Sequence, residues 1–99
     1  VVILSHSGAA SVQTFNSIGD GIDGQVLHIL FSTEAADQKI KLDFGSGLLY
    51  TGGGTAQFLE FSISGQSATL IFTAAFTKNS GSVTHAKGWR IINTGATVS

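Results

Sequence analysis

In Lys39-Ile40-Lys41-Leu42-Asp43-Phe44 every second residue is apolar and the residues between are charged. A β-strand throws successive side chains to opposite faces, so Ile40, Leu42 and Phe44 share one face and Lys39, Lys41 and Asp43 the other. That is a strand with one wet side. A little earlier a glycine-punctuated turn, Gly21-Ile22-Asp23-Gly24, opens onto a second apolar run, Gln25-Val26-Leu27-His28-Ile29-Leu30-Phe31. Helical periodicity is missing around both, which sets the fold class as all-β.

The remaining sequence divides the same way, into short apolar runs separated by Gly-rich or Ser/Asn/Asp-rich breaks at the roughly 8 to 12 residue spacing of sandwiches and barrels. Val12 to Ser17 alternates as a strand before the Gly19-Asp20-Gly21 break, and Glu34-Ala35-Ala36-Asp37 is long enough for a single helical turn in a connection. Leu48-Leu49-Tyr50 lies between Gly45-Ser46-Gly47 and Gly52-Gly53-Gly54. Leu59, Phe61 and Ile63 share one face, Ala68, Leu70 and Phe72 another, and Ser64-Gly65-Gln66 between them reads as a hairpin turn. Lys78-Asn79-Ser80-Gly81 is the next turn, and Trp89-Arg90-Ile91-Ile92 the last strand before a polar tail, Thr94 to Ser99. No repeat of fixed period stands out. The expectation is one domain over 1–99, a small antiparallel β-sandwich of jelly-roll-like form.

Composition constrains the partners. Charged residues make up 11% of the 99 and mean hydropathy is +0.31, against about 25% charged in ordinary globular proteins. So small a chain cannot cover that many apolar side chains internally, so part of its surface is expected to face another subunit or domain. The formal net charge of -1, with five scattered Lys and Arg, gives no basic field for nucleic acid. With no cysteine there is neither a disulfide framework nor a thiol nucleophile. The opening Val1-Val2-Ile3-Leu4 has no basic segment before it and meets polar Ser5-His6-Ser7-Gly8 at once. It reads as a strand cut from a longer polypeptide rather than a signal peptide. Apolar runs fall short of the ~20 residues of a membrane helix.

No residue set announces a reaction. Gly19-Asp20-Gly21-Ile22-Asp23-Gly24 has the carboxylates and glycines of a calcium loop but not the alternating acids and distal Glu, so it reads as a turn. His6, His28 and His85 lack a short-spacing ligand pair; His28 reads as a half-buried strand residue and His85 as a surface one. Gly-x-Ser-x-Gly is absent, and Gly45-Ser46-Gly47 lacks the context of a nucleophile elbow. Of the six carboxylates only Glu60, inside Phe58-Leu59-Glu60-Phe61, is oddly placed; an ion pair or hydrogen bond across a subunit contact suits it better than catalysis. Gly52-Gly53-Gly54 has no Lys or helix behind it to hold phosphate. Neither a metal nor a cofactor is expected. Tyr50 at a strand end is the candidate sugar-stacking ring, while Trp89, opening an apolar strand, belongs to the core.

The order of these signals carries a resemblance: a glycine turn into Gly24-Gln25-Val26-Leu27-His28-Ile29-Leu30-Phe31, then Lys39 to Phe44, Leu48-Leu49, a Gly65-Gln66 turn, and Gly88-Trp89-Arg90-Ile91-Ile92 near the end. From Val12 onward the chain resembles the C-terminal domains of bacteriophage tailspike proteins, small β-sandwiches that follow a trimeric parallel β-helix. The resemblance implies a homotrimeric domain of the phage tail that stabilises the spike and contacts host cell-surface polysaccharide in some members. Gly24, Gln25 and Trp89 match its recurrent positions in structural roles. Ile22-Asp23 departs from the simpler Gly-Gly turn. The family's depolymerase residues lie in the β-helix, so no catalytic residue carries over. A monomeric carbohydrate-binding module is the alternative, with one Trp and one Tyr a thin aromatic platform.

Overall fold

The computed structural model describes residues 2–6, 12–15, 18–33, 38–51, 54–78 and 83–99; for His6 and within 76–78 and 83–85 only the backbone is described. These residues form β1 (Val2–His6), β2 (Val12–Phe15), β3 (Val26–Thr33), β4 (Lys39–Asp43), β5 (Leu49–Thr51), β6 (Gly54–Ala56), β7 (Phe58–Phe61), β8 (Ser67–Thr73), β9 (Phe76–Lys78), β10 (Val83–His85), β11 (Gly88–Thr94) and β12 (Thr97–Val98). The helical turn expected over 34–37, Gly52-Gly53, the turn at 79–81 and the side chain of His85 lie outside the described residues.

Two mixed sheets stack in a sandwich-like arrangement. One has six strands in the order β1-β3-β8-β11-β5-β6, the other four in the order β12-β7-β4-β2, and β9 with β10 makes a separate antiparallel ribbon. Alternation decides which side of each strand turns inward: Ile29 and Phe31 of β3, Ala68, Leu70 and Phe72 of β8, Leu49 and Trp89 from the six-stranded sheet meet Ile40, Leu42, Leu59 and Phe61 from the other. Phe44 closes the core just beyond β4. Phe31 and Phe61 touch across the layers with ring centroids 5.9 Å apart. Each such fully buried side chain contributes about 1.5–3 kcal/mol by leaving water.

The all-β expectation holds, but three of its details change. First, the sheets are not purely antiparallel, because β1 pairs β3, β2 pairs β4 and β5 pairs β11 in parallel. Second, β7 and β8 are not a hairpin. Their apolar faces oppose each other across the core, so the two strands must lie in different layers, and the turn between them bonds to β3 instead: Gly65 N–H donates to Phe31 O and Phe31 N–H to Gln66 O, at 2.8 and 2.9 Å. Ile63 therefore sits in that turn, exposed, and does not share the inward face of Leu59 and Phe61. Third, the polar tail is structured. Residues 97–98 pair with β7, and Ser99 O accepts N–H bonds from Gln57 and Phe58.

The parallel pairs β1–β3 and β2–β4 have one cause. In each of β1–β2 and β3–β4, five positions apart in sequence, the first strand lies in the six-stranded sheet and the second in the four-stranded one, so each pair is an arch with one strand in each sheet. The arches lie side by side with one register throughout: Val2 is beside Ile29 and Val12 beside Lys39, each residue next to the one 27 positions further on. Their sequences agree in kind in the six-stranded sheet, Val2-Ile3-Leu4-Ser5 beside Ile29-Leu30-Phe31-Ser32. At the far end Phe15 lies beside Leu42.

Candidate assembly surface

The residues singled out by the resemblance serve two turns built alike. In Ile22-Asp23-Gly24-Gln25 the Gln25 N–H donates to Ile22 O at 2.8 Å, and the Gln25 side chain folds back so that Oε1 accepts the Ile22 N–H at 2.9 Å. Gly24 stands third in the turn with φ 84°, a left-handed value that costs a side chain about 1–2 kcal/mol. Ile63-Ser64-Gly65-Gln66 repeats every part: Gln66 N–H to Ile63 O at 3.1 Å, Gly65 at φ 95°, and Gln66 Oε1 accepting from Ile63 and Ser62 at 3.0 and 2.7 Å. Gln66 Nε2 also donates to Gly95 O at 2.7 Å, tying the turn to the end of β11. Each turn feeds a neighbouring strand, β3 or β8, and each bonds to a Phe on the other, Phe72 or Phe31. Ten residues, 22–31, thus recur at 63–72 with Ile, Gly, Gln and Phe in the same places. A local two-fold through the His28–Thr69 pair relates them.

Trp89 is core, 5% exposed, edge-on to Phe72 at 5.3 Å, with its indole N–H donating to Gly19 O at 3.0 Å. Gly21 lies so close that a Cβ there would stand 2.9 Å from both the indole and Phe72. The 19–24 segment is a packed turn whose carboxylates part company: Asp20 pairs with Lys87 at 2.6 Å, and Asp23 accepts the Ala74 N–H at 2.9 Å. Among the described residues no group of three His, Asp or Glu converges on a common point.

Tyr50 lies within β5, half-buried, and Arg90 of the neighbouring β11 stacks on its ring with the guanidinium carbon 4.3 Å from the centroid. Gly88 makes room for the ring's edge. One face of this ring is therefore already covered. Glu60 points outward from β7, opposite Lys41 of β4 and Thr97 of β12. His28 is exposed rather than half-buried among Leu27 and Ile29, because alternation turns it to the outer face, where Nδ1 is 3.2 Å from Thr69 Oγ1.

The described residues assemble no chemical constellation, and their distinguishing feature is the contrast between the two outer faces. That of the four-stranded sheet carries Lys39, Lys41, Asp43 and Glu60, and its one large aromatic, Phe58, lies under the Lys41 ammonium at 4.3 Å. The six strands of the other sheet contain one charged residue, Arg90, already engaged with Tyr50. Apart from Arg90, His28 and Asn93, their outward positions are aliphatic or hydroxyl-bearing: Ile3 beside Leu30, Leu30 opposite Ser67, Val26 opposite Ile71, and Thr69 opposite His28. Ile3, Val26, Leu30 and Ile92 are 65, 46, 38 and 59% exposed. Ile92 reaches this face through a bulge, between Ile91 and Asn93, that sets two β11 residues against Thr69.

No protein-family model matches the chain, and neither a curated protein nor a solved structure does.

Proposed function

We propose that the chain is the non-catalytic C-terminal trimerisation and stabilising domain of a bacteriophage tailspike, placed in the virion tail, with host cell-surface polysaccharide as a secondary contact. The observation that carries this reading is the N-terminal arch. Arch upon arch, in parallel and in one register in both sheets, is the way coils of a parallel β-helix stack. Residues 2–15 lie on 29–42 in that manner. The family's recurrent positions have structural duties here, Gly24 and Gln25 in a locked turn and Trp89 in the core. The exposed aliphatic face agrees with a domain that works as an assembly.

Sedimentation or light scattering tests the assembly: a mass of three chains is expected at micromolar concentration, and a stable single chain would favour the monomeric carbohydrate-binding module. Incubation with bacterial capsule or lipopolysaccharide tests the non-enzyme assignment, and no new reducing ends or unsaturated products are expected above a protein-free control. Where glycan binding is found, Tyr50→Ala is expected to weaken it without changing the mass. Binding unchanged in that variant removes Tyr50 from the site.

A further inference from the structure

We propose that the outer face of the six-stranded sheet is the surface through which copies of this chain associate, an inference that rests on the assembly reading above and names its contact. The first support is the partition of charge. Lys39, Lys41, Asp43 and Glu60 all fall on the other sheet, whereas the strands of this one hold Arg90 alone, and its guanidinium lies on Tyr50. A face with a single formal charge, drawn onto a neighbouring ring, meets its own copy with little like-charge repulsion, a cost that partners of one sequence otherwise share. The second support is chemical likeness. Ile3, Val26, Leu30, Ile71 and Ile92 are aliphatic, and their neighbours Ser67, Thr69 and Thr73 are small and hydroxylic, so over β1, β3 and β8 two such faces can pack without burying a formal charge.

Area is the third. Six strands about 4.8 Å apart, four of them five to eight residues long and two of three residues, make a face of roughly 500 Å² in projection. That is near the upper end of the apolar patches monomers expose, about 300–600 Å², and of the order of the ~800 Å² each partner gives a standard interface. The expected contact is aliphatic rather than phenylalanine-based. Phe31, Phe44, Phe61 and Phe72 are core residues, while Phe58 and the exposed Phe15 belong to the four-stranded sheet.

The test places charges where a lone chain tolerates them. Val26 and Leu30 are exposed in the single chain, so Val26→Glu and Leu30→Glu should leave the circular dichroism spectrum unchanged while the mass falls threefold, from three chains to one. Lys39→Glu, on the opposite face, should keep the full mass. The chain has no native cysteine, so a second arm needs no destabilising change: Ser67→Cys with a flexible bismaleimide should join chains covalently, and Lys39→Cys should not. If the Glu variants fail to fold, this arm decides. An assembly that survives both Glu changes and does not cross-link through Ser67→Cys overturns the proposed surface while the trimer stands. An assembly of two chains cross-linked through Ser67→Cys supports the surface and overturns the trimer. A wild-type mass of one chain overturns both.

Discussion

Two side-chain amides hold the turns that open β3 and β8, but they do unequal amounts of work. Gln25 makes one bond to the Ile22 N–H at an exposed site, while Gln66 satisfies the N–H groups of Ser62 and Ile63 and reaches Gly95 O. A net hydrogen bond contributes about 0.5–1.5 kcal/mol, and leaving donors unmet costs more than never having had them. Gln66→Ala is expected to destabilise by about 2 kcal/mol and Gln25→Ala by under about 1 kcal/mol. In a domain of this size that separates the melting temperatures by at least about 4 °C. Equal losses would mean that the side chains serve only as spacers. The glycine of each turn was legible in the sequence, because a left-handed residue before a strand calls for one. The folded-back Gln was not, since a polar residue at a strand start is ordinary. What could have revealed it is the recurrence of Ile-x-Gly-Gln with a Phe six residues on, at 22–31 and again at 63–72.

At the scale of elements, alternation identified β4 and β8 almost residue by residue, since one face of each is buried and the other is wet or half-covered. It failed on partners. Period-two patterning gives the inward face of a strand but is silent about which strand lies beside it, so the β7–β8 link read as a hairpin although it crosses the core. It also missed the parallel arches, because Val12 and Thr14 match Lys39 and Lys41 in direction and register but not in polarity. Those arches differ in support. All four residues of β2 are exposed, and it pairs only with β4, whereas β8 is bonded on both sides by β3 and β11. Amides of β8 should therefore exchange only on global unfolding, and those of β2 through cheap local opening. Hydrogen exchange read by mass spectrometry checks this on the 99-residue chain. Equal protection of residues 12–15 and 67–73 would show that the first arch is already covered on its open side, for instance by another copy.

The four-stranded sheet carries four charged side chains and the six-stranded sheet one, Arg90, so the way the molecule gains stability should follow from that division. The ion pair given by the described residues, Asp20 with Lys87, is half-exposed on both sides, and such a pair contributes about 0–1 kcal/mol and less in salt. Apolar contact between copies has the opposite response, being strengthened by sulfate, which is excluded from protein surface. If three copies unfold as they separate, mass action makes the folded state more stable as protein concentration rises, by about 0.9 kcal/mol per chain for each tenfold increase. That corresponds to a rise in melting temperature of at least about 4 °C per decade. The expected result is a melting temperature that climbs over a hundredfold range of concentration, is raised further by ammonium sulfate, and is little changed by sodium chloride. Val26→Glu should flatten the concentration dependence without abolishing the transition. A wild-type melting temperature independent of concentration would show that the two sheets are stable by themselves, and that the bare aliphatic face does not hold copies together.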